Sequence, residues 1–257
     1  MRKKLIMGQI IAIAGKGGTG KTTLASLIVR TLKEQNSGSI LAIDADPNNT
    51  LGQTLGVKDI STIVEIVDNI SKNLSEIPAG MTKDRFLDMK IQESINEEPG
   101  FDLLSMGRPE GPGCYCFINN LLRDLIERLM KNYSYIIVDN EAGMEHLSRR
   151  LVRKIDRLFM TSDSSIIGIR SAARISKLID DLNITVKDRG LVLNKLKVGR
   201  DTLNKEIERS GLEMITTLPF DEEIEVAAIG ERSIFEIASE NRLLNLVKDH
   251  FKLAVTK

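Results

Sequence analysis

The stretch "QIIAIAGKGGTGKTTLASLIVRTLKEQ", Gln9 to Gln35, changes its periodicity in the middle. "QIIAIA" is a short, unbroken apolar run of strand length. "TTLASLIVRTLKEQ" repeats apolar residues at helical spacing. Between them "GKGGTGKT", Gly15 to Thr22, fits the phosphate-loop pattern G-x-x-x-x-G-K-[ST], in the strand–loop–helix setting that gives the pattern its mechanism. Glycines let backbone N–H groups wrap phosphates, and the start of the helix adds partial positive charge. Gly15, Lys16, Gly17, Gly18, Thr19, Gly20, Lys21, Thr22 and Thr23 are therefore the expected nucleotide-binding residues. Lys21 should reach the β- and γ-phosphates and Thr22 should place its hydroxyl on Mg²⁺.

The pattern continues outward. "SILAID", "FDLLSM", "YIIVDN", "RLFMTS", "RGLVLN" and "EMITTLP" read as further buried strands. Helical spacing separates them in "INNLLRDLIERLMK", in "SAARISKLIDDL" from Ser171 to Leu182, and in "RLLNLVKDHFKL". Apolar strands alternating with helices predict one α/β domain over residues 1–257, with a doubly wound, mostly parallel sheet. The polar segment Ser75 to Gly100 fits a loop, a helix or an added hairpin equally well.

Composition narrows the function. The chain has 257 residues, 42% hydrophobic and 28% charged, which is globular rather than disordered. A net charge of zero gives no broad field for nucleic acid or anionic membrane. The start "MRKKLIMGQIIAIAG" imitates a secretory signal, but cleavage after Ala14 would remove the strand that feeds the phosphate loop. No apolar run approaches the ~20 residues of a membrane span. A cytoplasmic location is the expectation, and with it reduced thiols.

A phosphate loop needs acids nearby. Asp139 ends "YIIVDN", where it suits a Walker-B role at Mg²⁺. Asp44 and Asp46 end the strand in "AIDADPNN"; one could hold a Mg²⁺-bound water and the other could orient the attacking water. Asn194 ends "LVLNK", and an Asn amide can pair N6 and N7 of adenine. A turn-forming role explains Asp44, Asp46 and Asn194 as well.

Lys16 is surplus to an ordinary phosphate loop. "GKGGTGK" resembles the deviant Walker A loop of the ParA/MinD/nitrogenase-iron-protein class of ATPases. The likeness extends through "DADPNN", "YIIVDNEAGMEH", "LVLNK" and "LPFDEEI". It implies that Lys16 crosses a dimer interface to the phosphates bound by the other subunit, neutralising developing charge there. It also implies that Asp44, Asp46 and Asn48 form switch I, that Glu141 to Gly143 form switch II, and that Pro219 flanks adenine through backbone contacts.

The two cysteines of the chain, Cys114 and Cys116, stand in "GPGCYC". They are too close for an ordinary structural disulfide. Buried small hydrophobes are one reading of the pair; metal or redox chemistry is the other. A closed thiolate site usually takes four ligands, and a two-fold dimer would bring two C-x-C loops together around one ion. Within this ATPase pattern "GPGCYC" resembles the CooC-type maturation ATPases of nickel-containing carbon monoxide dehydrogenase, or relatives serving acetyl-CoA synthase. That resemblance implies a homodimer that uses ATP to support nickel insertion into an apo-enzyme. Spacing alone does not identify the metal: thiolate softness suits Zn²⁺, Cu⁺, an Fe–S centre or thiolate-bound Ni²⁺, and Ni²⁺ or Zn²⁺ is the expected ion at the interfacial cysteines.

Two further readings stay in view: a ParA/MinD-like positioning ATPase that binds DNA or membrane, and an iron-protein reductase with an interfacial cluster. His146, just beyond the switch II residues, admits a metal or sensor role, but it and His250 read first as ordinary surface or partly buried histidines. "LSRRLVRKIDR", Leu147 to Arg157, reads as a basic helix, with a solvated face or a docking surface for an acidic partner or DNA.

Overall fold

The computed structural model describes residues 8–108, 127–129, 131–141, 154–196 and 200–250. In chain order, the first half contains β1 (Gln9–Gly15), α1 (Lys21–Glu34), β2 (Ile40–Ala45), α2 (Thr50–Leu55), α3 (Ile63–Lys72), α4 (Lys83–Glu93), β3 (Asn96–Glu98) and β4 (Phe101–Ser105). It continues through β5 (Tyr135–Asn140), β6 (Lys154–Ser162), α5 (Ile166–Asp181), β7 (Thr185–Leu196), α6 (Asn204–Ser210), β8 (Met214–Pro219), α7 (Glu222–Ile229) and α8 (Arg242–His250). The strands form one eight-stranded sheet in the order β3-β4-β2-β5-β1-β6-β7-β8. Every pairing is parallel except β3 with β4. This is the doubly wound, mostly parallel α/β fold that the alternating pattern predicts.

The central strands are buried on both faces, which is why they read as unbroken apolar runs. Successive side chains still alternate. Ile10, Ala12 and Ala14 of β1 pack with Leu41 and Ile43 of β2 against Val67 of α3, Leu87 of α4 and Ile175 of α5. Ile11 and Ile13 face the other way, onto Leu24 and Ile28 of α1 and Leu244 of α8. Arg30 of α1, 2% exposed, donates to the carbonyls of Ile234 and Ile237 at 2.6 and 2.9 Å. That fastens α1 to the C-terminal part of the chain.

Phe159 of β6 is fully buried in the layer against α1. Phe159→Ala should destabilise the fold by about 3–5 kcal/mol, read as a lowered urea midpoint with an unchanged slope.

Some expectations change. Lys154 to Arg157 open β6, so the basic helix predicted from Leu147 to Arg157 does not extend over those four residues; 147–153 lie outside the described residues. A strand can end in charged residues because they find partners across the ladder. Asp156 accepts the Ile10 N–H at 2.8 Å and pairs with Lys187, and Arg157 donates to Asp188 at 3.3 Å. Helix α5 begins at Ile166, ahead of the predicted Ser171, because Ser165 caps it by accepting from the Gly168 N–H. Ser75 to Gly100 holds both a helix, α4, and the hairpin strand β3. Most of "INNLLRDLIERLMK" lies outside the described residues.

Candidate nucleotide site

The C-terminal ends of β2, β5, β1 and β6 line up side by side. Asp44 is in register with Asp139, Asp139 with Ile13, and Gly15 with Thr161. In open α/β sheets this edge is where ligands bind.

The loop Gly15–Gly20 turns the chain from β1 into α1. Gly18 and Gly20 have φ of +77° and +85°, which favours glycine. Four other helices start behind a side-chain cap: Thr62 for α3, Thr82 for α4, Ser165 for α5 and Asp221 for α7. Helix α1 starts behind Gly20 with no side-chain cap. Its first-turn N–H groups are thus left for an anion, at the positive end of the helix dipole. Lys21 is 7% exposed and its Nζ lies 3.4 Å from the Lys16 carbonyl, folded back over the loop. Burial pulls its ammonium below the usual lysine range, against the opposing pull of Asp139, Asp46 and Glu141.

Asp139 is fully buried. Its Oδ2 accepts the Thr22 hydroxyl at 2.6 Å, while Oδ1 is buried with no hydrogen-bond partner. Burial pushes its carboxyl up to about 7; the Thr22 bond and Lys21 act against that, and Asp44 and Asp46 add to it. An orphaned carboxylate oxygen beside a hydroxyl is a hard oxygen donor set, which fits Mg²⁺.

Asp44 is also fully buried, and burial raises its carboxyl to about 6. Its Oδ1 accepts from the Asp46 N–H at 3.0 Å, and its Oδ2 from the Leu51 and Gly52 N–H groups at 2.8 and 3.3 Å. Both oxygens thus hold the loop that carries Asp46. Asp46 is half-buried, and its Oδ1 accepts from the backbone and side-chain nitrogens of Asn48, both at 2.9 Å.

Asn194 stands at the end of β7, 4% exposed. Its Nδ2 donates to the Thr19 carbonyl at 3.0 Å and its Oδ1 accepts from the Lys195 N–H at 2.8 Å. Pro219 ends β8 opposite Leu196, so the loops after β7 and β8 run side by side. Thr23 lines a cleft with Thr50, Gln53, Glu231 and Arg232. Lys16 is exposed and makes no salt bridge among the described residues.

Cys114, Cys116, Gly143 and His146 lie outside the described residues; His250 is exposed at the end of α8. Among the described residues no group of three or more His, Cys, Asp and Glu side chains is arranged to hold a metal. Sequence reasoning missed Thr161, whose hydroxyl lies 2.8 Å from that of Thr19, and Asn140, whose amide donates to the Ile13 carbonyl at 2.8 Å. The signal for each was slight: a polar residue closing an apolar strand.

With the Thr22–Asp139 pair set beside an uncapped helix start, the edge of the sheet has the form of a P-loop nucleotide site. The chain belongs to the CobQ/CobB/MinD/ParA nucleotide binding domain family, whose pattern matches residues 10–234. The family binds and hydrolyses ATP, and this protein is an ATPase. It is 39% identical over 251 residues to an uncharacterized ATP-binding protein of Methanocaldococcus jannaschii, covering 96% of this chain and 99% of that one. It is 27% identical over 241 residues to the carbon monoxide dehydrogenase accessory protein CooC of Rhodospirillum rubrum, covering 89% and 90%. Among solved structures it resembles a ParA family ATPase from Chlorobium tepidum, with a TM-score of 0.71 at 20% identity, covering 94% and 96%. Among the described residues no helix is long and apolar enough to cross a membrane.

Proposed function

We propose that this ATPase is a metallochaperone that works as a homodimer. Cys114 and Cys116 from each of two chains hold one metal ion, nickel in the first instance, for insertion into apo carbon monoxide dehydrogenase or acetyl-CoA synthase. Zn²⁺ is another ion that such thiolates accept. The observation that carries the reading is the C-x-C pair in a chain similar to CooC along most of its length. Topology supports it. Strand β4 ends at Ser105 in register with Asp44, and the Met106 N–H donates to the Asp44 carbonyl at 2.9 Å. The chain therefore enters the cysteine-bearing segment from the nucleotide edge of the sheet.

In this reading Gly15 to Thr23 hold the phosphates, and Pro219 and Asn194 flank adenine. An adenine contact by Asn194 requires it to exchange the Thr19 carbonyl for the base. Thr22 and Asp139 would hold Mg²⁺, and Asp44, with both oxygens engaged, would act on it only through water. Bound Mg²⁺ would neutralise charge on the β- and γ-phosphates. Asp46 orients the attacking water, and Lys16 reaches the phosphates bound by the other subunit. Metal and nucleotide then favour the same association, so each strengthens binding of the other.

The test is size-exclusion chromatography with and without ATP and Ni²⁺ or Zn²⁺, counting metal in the dimer peak. The expected result is one ion per dimer, lost in Cys114→Ser while nucleotide binding persists. Tight retention of one ion per dimer by Cys114→Ser would refute the shared site. The positioning-ATPase reading has its own observation: Arg170, Arg174 and Arg209 line a groove between α5 and α6, with Glu206 paired to Arg170. Salt-sensitive DNA binding at that groove, with no metal in the dimer, would favour it.

A further inference from the structure

Thr19 is the inward-facing residue of the phosphate loop. It is 1% exposed, whereas Lys16, Gly17 and Gly18 are open to solvent. Three of its groups are held. Its N–H and its hydroxyl both reach the Lys16 carbonyl, at 3.4 and 2.8 Å. Its own carbonyl accepts from Asn194 at 3.0 Å. Its Oγ1 also lies 2.8 Å from Oγ1 of Thr161, a residue of β6 that is itself 1% exposed.

Each hydroxyl has one proton to give. The Thr19 proton goes to Lys16, so the short contact between the two threonines is filled by the Thr161 proton. The alternative acceptor for Thr161, the Ala14 carbonyl, is longer at 3.3 Å. The result is a directed chain from β6: Thr161 to Thr19 to the Lys16 carbonyl, which Lys21 also approaches. Space is tight around it. A Cβ on Gly15 would lie 2.3 Å from Thr161 Oγ1, and a Cβ on Gly20 would lie 2.2 Å from Asn194 Nδ2. Both loop glycines are thus required by the strands behind them.

We infer that Thr161 is a positioning residue for ATP hydrolysis, acting through Thr19 to fix the Lys16 peptide and so the direction in which the Lys16 ammonium leaves the loop. This rests on the reading that Lys16 serves the phosphates of the other subunit. Only a hydrogen-bonded oxygen fits at 2.8 Å. A methyl group needs roughly 3.5 Å, so an isosteric apolar residue must push Thr19 away by a good part of an ångström.

The experiment compares Thr161→Val, Thr161→Ser, Lys16→Ala and the double variant Lys16→Ala/Thr161→Val in full-length protein. The readouts are kcat, KM for ATP, ADP affinity and thermal midpoint. Thr161→Val should lose about 10-fold in kcat, since displacement of a reacting group by about an ångström costs up to ~100-fold. KM and ADP affinity should change several-fold less than kcat, and Thr161→Ser should regain most of the rate. The double variant should fall no further than Lys16→Ala, because both changes remove one effect. A normal kcat in Thr161→Val beside an impaired Lys16→Ala overturns the inference alone. So do losses that multiply in the double variant, or a Thr161→Val defect confined to KM or thermal midpoint. A normal kcat in Lys16→Ala overturns the trans-lysine reading itself, and the inference with it.

Discussion

Lys16→Ala is expected to lower kcat for ATP hydrolysis by at least ~100-fold, the order seen when a charge that stabilises phosphoryl transfer is supplied across an interface. ADP affinity should stay close to wild type. The asymmetry follows from what Lys16 contributes to its own loop. Its carbonyl takes the bonds from Thr19 and Lys21, and its side chain is exposed. Alanine keeps the carbonyl and removes only the ammonium. Phosphate release at saturating ATP, set beside an ADP titration, separates the two quantities. Turnover at the wild-type rate would exclude an essential contact by this lysine.

Asp139→Asn should act in opposite directions on activity and stability. Hydrolysis should fall by about 100-fold or more, because the hard anionic oxygen at the end of β5 is lost. The protein in chelator should nevertheless become more stable at pH 8, by about 1–2 kcal/mol. Burial raises the Asp139 carboxyl to about 7 from its ordinary value of 3.8, so its charged form costs folding energy, and one oxygen has no partner. The sign follows from proton binding. Between those two values the native state binds more protons than the unfolded chain, so stability is lost as pH rises through the window. The advantage of asparagine should therefore shrink as pH falls below 7, where the native carboxylate takes up its proton. Thermal melts across that range, beside steady-state hydrolysis, check both halves. A variant less stable than wild type at pH 8 would contradict the account.

Much of this architecture was legible because burial on both faces writes itself as short apolar runs. Ile10 to Ala14, Ile40 to Ile43 and Ile136 to Val138 admit little else, and the phosphate loop fixes how the first of them connects. What escaped reading depended on partners distant in the chain. Lys154 to Arg157 look like a charged helix until Lys187 and Asp188 are laid alongside them. The start of α5 was hidden because Ile166 and Ile167, in its first turn, are exposed and break the apolar stripe. The site residues Lys21, Thr22 and Asp139 follow from a motif with a mechanism. Thr161 has no motif; its meaning lies in a hydroxyl contributed by Thr19, 142 positions earlier.

The antiparallel strand β3 has a consequence for assembly. It is three residues long, carries Glu97 and Glu98, and among the described residues borders the sheet beyond β4. So short a ladder offers few free backbone groups to an approaching chain, and its carboxylates repel a second copy of themselves. Two molecules meeting along that side would not fuse into one continuous sheet. Any lasting contact between copies is steered away from this margin.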